Sequence, residues 1–353
     1  MTQNGRPHNL DLLSGEMVEV RSREEILSTL DANGRLEAMP FMPEMLQYCG
    51  KRFRVSKRAD KTCDNIKDWS LRRVENAVHL TGVRCDGASH GSCDAGCLIF
   101  WNEKWLKRSD TDFLKASQIS EQTPAALTSE HLASAQPLAC SERRLNEAVF
   151  QPDPSGTDTP VYTCQATQLR EFTSTLHWWD LRQYLRDIRS GNLRREFGDS
   201  KSERFLESIL GVIEVFRALV ITTFNKFQGF RSGVQYPHIG GSLESTTPGP
   251  ELVLQPSEFV QVRSKEEILS TLDRRNKNRG LLFDSEMLRY CGGTFRVLKR
   301  VNQIVDERTG KMMKMKSSCI ILEGVACVSD YHRFCPRAIY HYWREGWLRR
   351  VDS

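Results

Sequence analysis

Apolar and polar positions alternate in VEVR (18–21), as on a half-buried strand, and the spacing becomes helical in REEILSTLD (23–31). Ser22, with Glu25 three residues on, is a capping box and predicts a short helix at that point. Asn33-Gly34 marks a turn. RFRVSKR (52–58) sets Phe53 and Val55 against Arg and Ser, and VHLTGV (78–83) reads as a further strand. The pattern then comes a second time. VQVRSKEEILSTLD (260–273) repeats VEVRSREEILSTLD (18–31), and MLRYCGGTFRVLKR (287–300) repeats MLQYCGKRFRVSKR (45–58). One ungapped offset of 242 residues matches 36 of 91 positions between 18–108 and 260–350, which reads as an internal duplication. In the second copy TFRVLKRV and CIILEGVAC flank an RTGKM turn (308–312), as hairpin strands would. Several short strands around one helix predict a small, partly open, SH3-like β-barrel in each copy.

Between the copies the pattern changes. Residues 109–160 are rich in Ser, Thr, Ala and Pro and read as a linker, with one short helix at SERRLNEAVF (141–150). LHWWDLRQYLRDIRSGN (176–192) has helical spacing and ends at Gly191. A longer helix is expected over 201–227. Its Phe205, Ile209, Val212, Phe216, Leu219 and Phe224 form a face wide enough to be buried on two sides, as in a core or inter-domain helix. The expected class is α+β: a flexible 1–15, a first Cys/His β domain at 16–110, a linker at 111–160, a helical middle at 161–230, a linker at 231–257 and a second Cys/His β domain at 258–353.

Composition narrows this little. Of 353 residues 39% are hydrophobic and 27% charged, ordinary for a soluble protein, and a net charge of +5 admits an acidic partner without requiring one. No run of 18 residues is free of charge, so a spanning helix is not expected. MTQNGRPHNLDLL (1–13) lacks the pattern of a secretory signal. Eleven cysteines then point to a reducing, cytoplasmic setting, where clustered thiols bind metal or do redox chemistry.

The offset sorts the cysteines. Cys49, Cys85, His90 and Cys93 match Cys291, Cys327, His332 and Cys335, whereas Cys63, Cys97 and Cys319 face Val305, Ile339 and Ala77. Three thiolates and an imidazole make a closed tetrahedral zinc set, so up to two structural zinc ions per chain are expected; thiolate ligation also admits iron. The competing reading of Cys49 and Cys291 is as buried core cysteines. A rival set in the first copy is Cys63, Cys85, Cys93 and Cys97, with Cys319, Cys327, His332 and Cys335 in the second. Cys97 could also be a spare thiol beside a metal. Asp86, Asp94 and Asp330 lie near the motifs but do not match across the copies, so no shared general base is visible. Glu103 and Glu345 do match, within W-x-E-x-W, and read as a carboxylate at the rim of an apolar wall.

The function expected from these residues is that of a zinc-stabilised binding or accessory protein that acts through another protein. A metal- or thiol-dependent enzyme, using Cys93 or Cys97, is one alternative. An RNA or DNA binder is another, through Lys51, Arg52, Arg54, Lys57, Arg58, Lys299 and Arg300 interleaved with aromatic residues. HWWDLRQY (177–184) offers a further patch for a partner. Contact with a membrane surface is the least favoured. RVENAVHLTGVRCDGASHGSCDAGCLIFWNEKWLKR (73–108), HWWDLRQYLRDIRSGN (177–192) and KSSCIILEGVACVSDYHRFCPRAIYHYWREGWLRRV (316–351) resemble a family of uncharacterised bacterial proteins. The resemblance covers nearly the whole chain. It implies a bacterial, cytoplasmic protein from a biosynthetic or envelope-polysaccharide neighbourhood and carries no activity with it.

Overall fold

The computed structural model describes residues 10–66, 69–109, 140–153, 156, 159–193, 201–246, 249 and 252–351; side chains are not described at 201–208 and 318. The chain is mixed α+β, built from small antiparallel sheets and five helices among the described residues: α1 (Arg23–Thr29), α2 (Glu142–Glu147), α3 (Arg182–Arg189), α4 (Lys201–Phe230) and α5 (Lys265–Leu269). The expected linker 111–160 falls partly outside the described residues, as do the first nine residues of the expected flexible lead-in. Where the lead-in is described it is anchored. Leu12 is buried, and Glu103 accepts from the backbone N–H groups of Asp11 (3.1 Å) and Leu12 (2.9 Å).

Each copy of the pattern folds into a five-stranded sheet with the same order. In the first it runs Trp101–Asn102, Ala77–Leu80, Arg52–Arg58, Met17–Val20, Leu106–Arg108; in the second, Trp343–Arg344, Met312–Leu322, Thr294–Val305, Phe259–Val262, Leu348–Arg350. Registers agree too: Val18 pairs with Phe53 as Val260 does with Phe295, and Val20 with Leu106 as Val262 does with Leu348. The hydrogen-bonded ladder does not close into a barrel. The two outer strands of each sheet follow one another in sequence and are joined by a single 3-10 turn, Glu103–Trp105 or Glu345–Trp347. α1 and α5 begin at the expected capping boxes, Ser22/Glu25 and Ser264/Glu267.

The W-x-E-x-W motif supplies the core of both halves. Trp101, Trp105, Trp343 and Trp347 are buried. Phe41 meets Trp105 edge-on at 5.1 Å, and Phe283 meets Trp347 at 5.4 Å. Each last Trp donates its indole N–H to a threonine at or just past the end of the helix, Trp105 to Thr29 (3.1 Å) and Trp347 to Thr271 (2.9 Å). The glutamate between them is not at a rim, as the sequence suggested. Glu103 is buried against Arg58 (2.8 Å) and Glu345 against Arg300 (2.5 Å), where each also accepts from the N–H groups of the incoming chain.

The halves differ in their hairpins. The second copy has one long hairpin, Thr294–Val305 with Met312–Leu322, turning at Asp306–Lys311. In the first copy Lys61–Asp64 and Ser70–Arg73 separate from the main sheet and take Ser174–Leu176 as a third strand, which ties the middle segment to that half. α3 adds Asp187, 2.5 Å from the buried Lys61 ammonium.

The two copies pack on one another with reciprocal contacts. The backbone N–H of Val305 donates to Cys93 Sγ (3.3 Å), and that of Cys63, the position matching Val305, donates to Cys335 Sγ (3.1 Å), the position matching Cys93. Arg84 reaches Ala338 O (2.9 Å) and lies over the Tyr340 ring. Arg337, buried, bonds Asn65 (2.7 Å) and Glu307 (2.8 Å).

α4 corrects one expectation. Gly211, Val215 and Ala218 face the protein and Leu219 is half-buried, but Ile209, Val212, Phe216 and Phe224 are exposed; the Phe205 side chain lies outside the described residues. The rest of the fold covers one side of this helix, with Ile188 and Leu193 of the α3 region set against Gly211.

Candidate metal centres

Two clusters of donor atoms lie at matching places in the two halves: Glu44, Cys85 and His90 in the first, Glu286, Cys327 and His332 in the second, with the donors of each cluster within 4.8 Å of one another. The offset of 242 that matches the cysteines also matches Glu44 to Glu286. The glutamate comes from a 3-10 helix, Pro43–Tyr48 or Ser285–Tyr290. The thiol comes from the loop after the third strand of the sheet. It is fixed by a hydrogen bond from its own backbone N–H, Cys85 to Cys97 O and Cys327 to Ile339 O, both 2.8 Å. The histidine sits one turn further on. Gly87 allows that turn: it is left-handed (φ 75°), and a Cβ there would lie 2.1 Å from the Cys93 carbonyl oxygen. The second copy puts Ser329 at that position, left-handed at φ 64°, and its hydroxyl donates to Cys335 O at 2.7 Å.

In the first centre Cys85 Sγ and His90 Nδ1 each lie 3.0 Å from Glu44 Oε1. The far ring nitrogen, Nε2, is 3.1 Å from Thr163 O. In the second, His332 Nδ1 is 3.5 Å from Cys327 Sγ and Nε2 is 3.3 Å from Asp284 Oδ2. Both imidazoles thus turn Nδ1 to the cluster and Nε2 to an acceptor, the arrangement that orients a metal-ligating histidine. Glu44 Oε2 and Glu286 Oε2 are buried with no hydrogen-bond partner, and His90 Nδ1 makes no aligned hydrogen bond despite its near carboxylate. Orphaned acceptors of this kind on the carboxylates of buried clusters fit a shared cation. One carboxylate, one thiolate and one imidazole suit zinc or a neighbouring transition metal better than calcium or magnesium.

The electrostatics of the two centres differ. Burial would raise the Glu44 carboxyl, but the close His90 ring and the Cys85 thiol that donates to it outweigh burial and hold the group below the usual carboxylate range. Burial pushes Glu286 up to about 7 against the N–H of Tyr331, with Asp330 and Asp284 adding repulsion. Burial raises both thiols, Cys85 and Cys327, well above their ordinary value.

The other expected ligands lie elsewhere. Cys49 and Cys291 cap the 3-10 helices that carry the glutamates and pack against the two cores. Cys93 and Cys335 sit at the contact between copies, and Cys335 Sγ is 3.2 Å from Cys63 Sγ. Cys319 lies buried within a strand, beside Arg344 (3.3 Å). Cys97 lines a cavity of about 40 Å³ with Cys85, His90, Cys93 and Cys164, and burial pushes its thiol up to about 12, away from nucleophilic character. Of the acids near the motifs, Asp94 accepts from the backbone of Asn302 (2.9 Å) and Gln303 (3.2 Å), and Asp330 pairs with Arg289 (3.2 Å). Glu44 and Glu286 are the residues that reading cysteines alone passes over. The retained match between them was the available signal.

The surroundings of the two centres also differ. His90 and Glu44 are enclosed. His332 and Asp284 line a cleft of about 820 Å³, together with Tyr236, Tyr331, Arg333 and the α4 residues Asn225 and Lys226. Trp69 of the first half stacks on the His332 ring at 4.5 Å. Comparison of the chain with protein-family models, with curated proteins and with solved structures finds no match.

Proposed function

We propose that the chain is a zinc-stabilised binding or accessory protein in which each half, an SH3-like unit that arose by duplication, is stapled by one metal held by Glu44, Cys85 and His90 or by Glu286, Cys327 and His332. The observation that supports this is the recurrence of the same three donors at one offset, each histidine having its second nitrogen on an acceptor. Burial of the first centre favours a structural ion, with the small cavity beside it able to hold a water as a further ligand. A second reading, a metal-dependent enzyme, is favoured at the second centre alone, where His332 faces the large cleft.

Elemental analysis of the purified chain and its variants tests the ligand set. The intact protein carries two zinc ions. Cys85→Ser and Cys327→Ser each lose one, Glu44→Gln weakens retention at the first centre, and Cys49→Ser keeps both. Loss of metal from Cys49→Ser equal to that from Cys85→Ser would overturn the assignment in favour of the Cys49, Cys85, His90 and Cys93 set.

A further inference from the structure

We propose that the outer face of α4, with α3 beside it, is a docking surface for an anionic lipid bilayer. This goes beyond the metal reading and does not rest on it. Ile209, Ile213, Phe216, Val220, Phe227 and Phe230 follow one another at spacings of three, four or seven, which places them along one line on the side of the helix opposite Gly211, Val215 and Ala218. They are exposed, Phe216 at 69%, Phe227 at 58% and Phe230 at 90%. Leu210, Val212 and Phe224 widen the stripe, again exposed. A row of large apolar side chains this long has no partner within the described fold, and isolated exposed residues do not line up in this way.

The charges around the stripe identify what covers it. Arg217, Lys226 and Arg231 flank it and are exposed, and Glu214, 3.6 Å from Arg217, is the single acid between Ile209 and Arg231. α3 shows solvent a face of the same kind, with Leu181 and Leu185 beside Arg182, Arg186 and Arg189, and Trp179 stands exposed just before it. The Asp187 carboxylate of α3 is turned inward to Lys61. A second copy laid on this face would bring Arg217, Lys226 and Arg231 to like charges, without the acids that pair the flanks of a coiled-coil seam. An anionic headgroup layer complements those cations, and its acyl boundary takes up the Phe, Ile and Val side chains. No helix among the described residues is long and apolar enough to cross a membrane, so the contact is one of lying on the surface.

The test uses the full chain with phosphatidylcholine vesicles, with and without phosphatidylserine, in co-sedimentation. The expected result is partition onto the phosphatidylserine vesicles, weakened by added salt. The double variant Phe216→Ser/Phe227→Ser removes two exposed side chains and should unfold at the wild-type temperature while binding at least about tenfold more weakly. Three results would each overturn the proposal: no partition onto the anionic vesicles, equal partition onto both kinds, or equal binding by the double variant. A dimer in solution that the double variant dissociates would overturn it too, and would assign the face to a second copy.

Discussion

His79 shows how one buried side chain makes the fold depend on pH. Its Nδ1 donates to Ile99 O (2.8 Å) and its ring packs on Phe100. Burial lowers it from an ordinary 6.5 to about 4, with Arg84, Arg337 and Lys57 adding repulsion against the backbone bond that favours the charged ring. The folded state therefore takes up its proton later than the unfolded one. The stabilisation is complete above pH 6.5 and is lost as pH falls through 4, a change of about 3 kcal/mol. The second copy carries Ile321 at this position and places a histidine, His341, where the first has Ile99; burial lowers that one to about 4 as well. His79→Ile should therefore reduce the difference in urea stability between pH 7.5 and 4.5 by about 3 kcal/mol, and an unchanged difference would contradict the account. At the second metal centre Asp284 plays the orienting part for His332. Asp284→Asn is expected to weaken zinc retention there by about 10- to 100-fold in a competition with chelator, leaving the first centre untouched. Of the cluster members, Cys85, His90, Cys327 and His332 were legible from their spacing. Glu44 and Glu286 were not, since a carboxylate in a 3-10 turn is indistinguishable in sequence from a solvated one, and only folding brings it under the thiol.

Among the elements, the strongest local signals carried over. The capping boxes at Ser22 and Ser264 start helices, and the strands on either side of the second copy's turn form one long hairpin. Their causes are local: a side chain closing an N–H three residues on, and β-branched residues facing inward between turns. The Cys93 and Cys335 sulfurs accept from backbone N–H groups of the opposite half, a contact that spacing in the sequence cannot show. α4 misleads in another way. An apolar arc in a sequence reports how much surface is available for burial, and in this chain the interior covers only the Gly211–Val215–Ala218 side. Likewise Arg58 and Arg300, which in sequence belong to a basic strand face, turn inward to Glu103 and Glu345.

Across the whole molecule, the two halves share buried polar contacts and are not two beads on a string. Arg337 reaches Asn65, Arg84 reaches Ala338, and Asp94 holds the Asn302 and Gln303 backbone. Opening one half would leave the buried Arg337 guanidinium without Asn65 and the buried Cys63 N–H without Cys335, so neither half keeps its stability once the other opens. Differential scanning calorimetry should accordingly show one main transition whose van't Hoff and calorimetric enthalpies agree; two resolved transitions would mean independent halves. Trp69 extends this dependence to chemistry. It belongs to the first half, yet its indole is the wall against which the His332 ring lies, with Arg333 donating to its carbonyl (2.5 Å). The steadiness of that imidazole is therefore partly inherited from the folding of the first half. An ion held there, as proposed, would also favour the neighbour's native state, and the neighbour's unfolding would release it.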